Sequence, residues 1–342
     1  MDSAFVYIAF IVLIALIFDY INGFHDAANS IATIVATRVL TPFQALCWAA
    51  FFNFAAAFTL HTGVASTVGK GMVNQEYVTP QVMLAGLLGA IFWNLLTWYY
   101  GIPSSSSHAL IGGYAGAAMA KAIMLKGVME LFDAIIISGW LKTLRFIVLA
   151  PLLGMLLAYL LMIAVYWILK NSTPSTMDRW FRRLQLVSSA LFSFAHGSND
   201  AQKTMGIITA VLVSAGYLKT FDVPLWVMLT AYAAIALGTL TGGWRIVRTM
   251  GGRLTRLKPR GGFCAETAGA IAILFPTYLN IPVSTTHVIT SAIAGVGSIQ
   301  RVKAVRWKLA TNILWAWILT LPMSALVAGL TFLGVWTLTG RM

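Results

Sequence analysis

Residues 22–30 read NGFHDAANS, and residues 196–204 read HGSNDAQKT. Gly23, Asp26 and Ala27 recur as Gly197, Asp200 and Ala201, at a constant offset of 174 residues. Both stretches interrupt apolar text: AFVYIAFIVLIALIFDYI (Ala4–Ile21) precedes the first and IATIVAT (Ile31–Thr37) follows it. A carboxylate within a hydrocarbon crossing is costly, and where one occurs it faces a protein interior or a water-filled cavity. Its appearance twice therefore governs how the chain is read.

A second pair keeps the same order. IPSSSSH (Ile102–His108) resembles IPVSTTH (Ile281–His287) at an offset of 179 residues. Two matches in one order at nearly one offset indicate an internal duplication. Composition sets the medium. The 342 residues are 59% hydrophobic and 10% charged, where a soluble domain carries about 25% charged residues. Apolar runs recur from end to end, which indicates helical crossings, whereas a membrane β-barrel shows short alternating segments.

The sequence predicts an all-α polytopic membrane protein of about twelve helical segments, since a crossing needs about 20 residues. The segments are 4–22, 27–37, 42–66, 81–100, 106–120, 146–169, 184–196, 200–219, 224–242, 263–280, 286–300 and 309–338. The short ones adjoin in pairs, 4–22 with 27–37 and 184–196 with 200–219, and each pair reads as one broken helix. Segments 81–120 and 263–300 read as hairpins whose tips hold the Ser/Thr runs.

The net charge is +13. The basic residues cluster at Arg179–Arg183, Arg245–Arg260 and Arg301–Lys308, and such clusters mark cytoplasmic loops. Placing all three inside gives each half an odd number of crossings, so the halves are inverted. Residues 1–169 form the first repeat, 170–183 a short cytoplasmic linker and 184–342 the second repeat. Both termini fall outside the cytoplasm; Lys142 and Arg145 do so too, against the rule. No soluble segment is long enough for a nucleic-acid domain. Cys47 and Cys264 sit in apolar text without metal spacing. No metal ligand and no cofactor is assigned.

The chemistry falls on the matched residues. A helix that restarts beside Asp26 or Asp200 offers free N–H groups to an anion, and unwound carbonyls suit a cation. An ionised Asp repels the anion unless a cation or proton neutralises it, so the pattern points to coupled binding. Asp26, Asn29, Asp200 and Glu266 are the candidate cation or proton ligands. Ser105, Ser106, Ser107, Ser284, Thr285 and Thr286 follow a proline and open helices. One cap needs one hydroxyl, and the surplus suits an oxyanion. Asn199 and Lys203 join them as candidate anion ligands, with Lys203 also able to neutralise Asp200 or to snorkel. His108 and His287 match each other and fit either a proton relay or structural hydrogen bonds. His25 and His196 do not match and receive no role.

These four motifs resemble the signatures of the inorganic phosphate transporter (PiT) family, over nearly the whole chain. WNLLTWYYGIPSSSSHALIGG (Trp93–Gly113) is similar to bacterial low-affinity phosphate permeases. The resemblance implies a proton-coupled symporter of inorganic phosphate in the cytoplasmic (inner) membrane, carrying phosphate or a neutral divalent metal–phosphate complex. Sodium-coupled members also exist. A sulfate-transporting branch lacks the first-repeat Asp, so Asp26 favours phosphate over sulfate. The expected partners are phosphate, a proton or sodium ion, a divalent cation complexed with phosphate, and the lipid bilayer. A homodimer is left open, and nucleic acid is not expected. The competing enzyme reading is an intramembrane aspartyl hydrolase. It leaves the Ser-rich tips unexplained, so a transporter rather than an enzyme is expected.

Overall fold

The computed structural model describes residues 3–59, 61–300 and 302–339. Arg301 of the third basic cluster and both chain ends lie outside the described residues. The described residues form helices α1 (Ser3–Ala36), α2 (Pro42–Ala55), α3 (Gly63–Lys70), α4 (Pro80–Tyr100), α5 (Ser106–Lys126) and α6 (Ile137–Ile168). They continue with α7 (Pro174–Ser214), α8 (Leu225–Thr241), α9 (Trp244–Arg248), a π turn (Thr249–Arg253), α10 (Pro259–Tyr278), α11 (Thr285–Gln300) and α12 (Trp307–Thr339). Helices α1, α4, α5, α6 and α12 are long and apolar enough to cross a membrane. Leucines such as Leu152, Leu156, Leu160, Leu326 and Leu330 point outward from α6 and α12, as lipid contact requires. The protein is a multi-pass membrane protein.

The expected breaks at the Asp motifs are not there. Segments 4–22 and 27–37 are one helix, α1, and 184–196 and 200–219 are one helix, α7. Residues 174–183, expected within a linker, are the first turns of α7, opened by the Thr173 cap and Pro174. The bends lie one element later, between α2 and α3 and, at 60°, between α8 and the α9–π segment. The physical reason is that Asp26 and Asn29 of the first motif, and Asp200 and Lys203 of the second, find side-chain partners on neighbouring elements, so the backbone need not unwind.

The motif glycines serve close packing. A Cβ on Gly23 would lie 2.1 Å from the Ile235 carbonyl oxygen of α8, and one on Gly197 would lie 2.4 Å from the Asn53 carbonyl oxygen of α2. Only a bare Cα allows α1 to meet α8, and α7 to meet α2, at this separation.

Helices α4 and α5 form one hairpin, α10 and α11 another, and the long helices exchange places around them. Helix α12 packs on α4 and α5, while α6 packs on α10 and α11. Gly101 (φ +66°) ends α4 and Asn280 (φ +63°) follows the end of α10, so both first arms turn through the left-handed region where Gly and Asn are tolerated. Two apolar clusters result. The N-terminal part of α1 (Ile8–Phe18) shares one with α4 and α5, and its C-terminal part (Ala27–Ile34) shares the other with α10 and α11. Helix α7 passes between them in the opposite sense, with Phe192 and Ala195 in the second cluster and Met205 to Val211 in the first. The motifs therefore sit at the crossover between the two cores.

Candidate functional site

Helices α1 and α7 run antiparallel, since Thr37 bonds Gln185 at one end (2.9 Å) and Thr204 neighbours Asp19 at the other. Asp26 and Asp200 come together midway. The tips of both hairpins close over them, and each tip divides its hydroxyls between two tasks. Ser105 Oγ accepts the His108 N–H (3.2 Å) and Ser284 Oγ accepts the His287 N–H (3.3 Å). These two are N-caps of α5 and α11. The next two hydroxyls of each tip turn to the motif helices.

The pairings repeat at matched positions. Ser106 Oγ donates to Asp26 Oδ1 (3.2 Å), and Thr285 Oγ1 donates to Asp200 Oδ2 (3.2 Å). Asn29 Nδ2 donates to Thr286 Oγ1 (2.9 Å) and Thr285 Oγ1 (3.3 Å), while Lys203, at the place matching Asn29, donates to Ser107 Oγ. The Lys203 ammonium also donates to Asp200 Oδ1 (2.5 Å) and the Val283 carbonyl (2.8 Å). Thr286 Oγ1 reaches Asp26 Oδ1 at 3.5 Å, so Asp26 is touched by both hairpins.

Two histidines complete the carboxylate centre. His25 Nδ1 lies 2.8 Å from Asp26 Oδ1, and its Nε2 lies 3.1 Å from Thr97 Oγ1. His196 Nε2 lies 3.1 Å from Asp200 Oδ2, and its Nδ1 lies 3.1 Å from Asn53 Oδ1. Ligand atoms of Asp26, His196 and Asp200 all fall within 4.8 Å of one another, a spacing that a single cation can bridge. The centre is sealed: Asp26 is 2% exposed and Asp200 0%.

The electrostatics combine both signs. The first intrahelical bonds of α5 and α11 start at Ala109 and Val288, which leaves the N–H groups of Ser106, Ser107, Thr285 and Thr286 in the unpaired first turn. Two positive helix ends and the Lys203 ammonium therefore face two carboxylates. Such a centre suits an oxyanion held by hydroxyls and N–H groups together with a cation held by carboxylates.

A profile described as the phosphate transporter family matches residues 22–328. The chain belongs to the phosphate transporter family. This member is 55% identical over 330 residues to a probable low-affinity inorganic phosphate transporter of Rhizobium meliloti (strain 1021), covering 96% of each chain. It is 45% identical to one of Bacillus subtilis (strain 168), with 97% of this chain and 98% of that one covered. Its fold matches that of a solved structure, "The sodium-dependent phosphate transporter", with a TM-score of 0.84. That likeness spans 98% of this chain and 100% of that one at 23% identity, and it shows the fold alone.

In this family member four expected site residues make their contacts away from the carboxylate pair. Glu266 of α10 lies between α1 and α7 toward the Thr37–Gln185 end. Its Oε1 accepts from Thr33 (2.6 Å) and Gln185 (3.0 Å), and its Oε2 accepts from Ser188 (2.5 Å). His108 and His287 pack edge to face with ring centroids 4.6 Å apart, and His287 stacks on Trp317 at 3.9 Å. Both line a cavity of about 460 Å³ with Pro151, Leu152 and Ile318, among apolar side chains of α6 and α12. Asn199 ties α7 to the second hairpin, donating to Thr277 Oγ1 (2.7 Å) and accepting from the Val283 N–H (3.4 Å).

His25 and His196 were legible as site residues only once the motifs were read as helical. His196 and Asp200 are one turn apart, the spacing that brings two side chains to one face. A break between them hides that relation.

Proposed function

We propose that this protein carries inorganic phosphate across the cytoplasmic membrane in symport with a monovalent cation, a proton in first place and sodium in second. The observation that carries the reading is the matched pairing of Ser106 with Asp26 and Thr285 with Asp200, beside Lys203 and two helix N-termini. Phosphate takes the hydroxyls, N–H groups and Lys203. The cation takes Asp26, Asp200 and His196. When phosphate enters, the tip hydroxyls turn their protons from the carboxylates to phosphate oxygens, and the carboxylates freed of those donors accept the cation instead. Anion and cation thus need each other at one centre, which is the physical content of coupling. A divalent metal–phosphate complex meets the same donors with its charge partly cancelled.

The sealed centre implies alternating access. The halves 1–169 and 184–342 present their elements in one order, α1 with α7, α4–α5 with α10–α11 and α6 with α12. Their antiparallel central helices support an inverted repeat rocking about the Asp26–Asp200 pair. Arg182 bonds the Arg38 carbonyl (2.6 Å), Arg260 faces Asp178 (3.9 Å), and the Arg306 N–H bonds the Leu254 carbonyl (3.0 Å). This gathers the basic clusters at one end, which supports a cytoplasmic face there and extracytoplasmic termini.

Radiolabelled phosphate uptake into proteoliposomes, with proton and sodium gradients imposed separately, tests the proposal. Gradient-driven accumulation that Asp26→Ala and Asp200→Ala each abolish is expected. Uptake indifferent to both gradients and to both substitutions would sink it, and stronger accumulation of sulfate than of phosphate would change the substrate.

A further inference from the structure

One face of α1 carries a polar residue at every turn, Asp19, Asn22, Asp26, Asn29 and Thr33, and Thr37 follows its end, at spacings of three and four. Asp26 and Asn29 belong to the phosphate centre, while Thr33 and Thr37 belong to the Glu266 cluster. Asp19 belongs to neither. It is 0% exposed, and neither of its carboxylate oxygens has a hydrogen-bond partner.

Its polar neighbours are also unpartnered. Asn22 and Thr204 lie beside it, and Asn22 Oδ1 and Thr204 Oγ1 are both buried without a bond. Tyr232 of α8 is within electrostatic range of Asp19. The other charged groups acting on Asp19 are Asp200 and Lys203 of α7. Lys203 cannot serve Asp19, because an ammonium has three donors and these go to Asp200, Ser107 and the Val283 carbonyl. A buried carboxylate without a partner is strongly unfavourable, and the unpaired oxygens of Asn22 and Thr204 beside it add to the cost. A bound positive charge relieves all of them. Oxygen-only donors select a hard cation, and a single formal negative charge selects a monovalent one.

The geometry points to a second monovalent-cation station at Asp19, Asn22 and Thr204, separate from the phosphate centre. Seven residues of helix place it about 10 Å along α1 from Asp26, on the side away from the basic clusters. It rests on the reading of the chain as a cation-coupled carrier, and it adds a second proton or sodium ion carried with each phosphate, held apart from the one at the Asp26–Asp200 pair.

The experiment uses the full-length protein and Asp19→Asn, which keeps shape and removes charge. The number of charges moved per phosphate is read from the reversal potential of uptake in proteoliposomes, in a proton arm and a sodium arm. The substitution is expected to lower that number by one in the arm of the ion bound. A role in structure alone changes the rate and leaves the number intact, which overturns the inference. Should Asp19→Asn carry no phosphate, equilibrium binding of radiolabelled sodium and proton uptake by the purified protein decide. One site fewer than wild type supports the station, and an equal count overturns it. Wild-type protein that accumulates no phosphate under either gradient overturns the transport reading, while the binding count still tests Asp19.

Discussion

Lys203 sets its ammonium 2.5 Å from Asp200 Oδ1, whereas Asn29, at the matching place of the first motif, brings only an uncharged amide to the hydroxyls of Thr285 and Thr286. The two halves are therefore alike in hydrogen-bond pattern and unlike in charge. Asp200 owns a built-in lysine counter-ion, and Asp26 faces His25 and two hydroxyls instead.

Lys203→Met should leave Asp200 buried beside His196 without its lysine. Breaking a buried ion pair on one side costs about 3–5 kcal/mol. Thermal unfolding of the purified protein should show a large drop for Lys203→Met and a partial return in the double variant with Asp200→Asn. Phosphate uptake should fall at least about tenfold in both, the equivalent of one lost charge-assisted hydrogen bond. A single variant as stable as wild type would mean that Asp200 draws a counter-ion from solution.

The two kinds of tip hydroxyl should separate experimentally. Ser105→Ala and Ser284→Ala remove caps, so each should cost about 1 kcal/mol of stability. Ser106→Ala and Thr285→Val remove bonds to carboxylates, worth about 1.5–3 kcal/mol apiece. They should raise the KM for phosphate about tenfold or more as well as lower the unfolding temperature, whereas the cap variants should lower the unfolding temperature and leave KM nearly unchanged. Equal effects of all four on KM would contradict the division.

Gly23→Ala and Gly197→Ala should each destabilise the protein by about 1–3 kcal/mol or more, because the new methyl meets backbone that cannot rotate away. Gly127→Ala is the control for room: no atom lies within 4 Å of the methyl, and the cost there comes from its φ of +100°. Detergent stability and yield are the readouts. If the motif alanines are tolerated, the two crossings are looser than described.

Asp133, in the turn between α5 and α6, supplies a pH signature. Its carboxylate accepts from Lys126 Nζ (2.8 Å) and Tyr77 Oη (2.6 Å), and these two bonds hold its carboxyl below the ordinary range. A depressed folded-state value gives stability that is present above the unfolded value of about 3.9 and is lost as pH falls through the folded one. The unfolding-temperature gap between wild type and Asp133→Asn should be constant from about pH 5 to 8 and shrink below about pH 4. A gap that instead grows on acidification would reverse the assignment.

Much was readable without coordinates. Membrane class follows from composition, and the paired motifs follow from Gly23/Gly197 and Pro103/Pro282 recurring in order. The paired Asp and the paired Ser/Thr tips follow from the same offsets. These are linear properties, and apolar length and repeat spacing carry them whatever the neighbours do.

Tertiary structure decided the rest. It made α1 and α7 continuous, because Asp26 and Asn29 draw partners from tips 80 and 257 residues away, and side-chain bonds replace an unwound backbone. It divided cap from carboxylate partner, Ser105 from Ser106 and Ser284 from Thr285, which no spacing distinguishes. It brought His196 to Asp200 and left Asp19 facing Asn22 and Thr204, since whether a polar group in a membrane helix is satisfied depends on what the opposite helix presents to it.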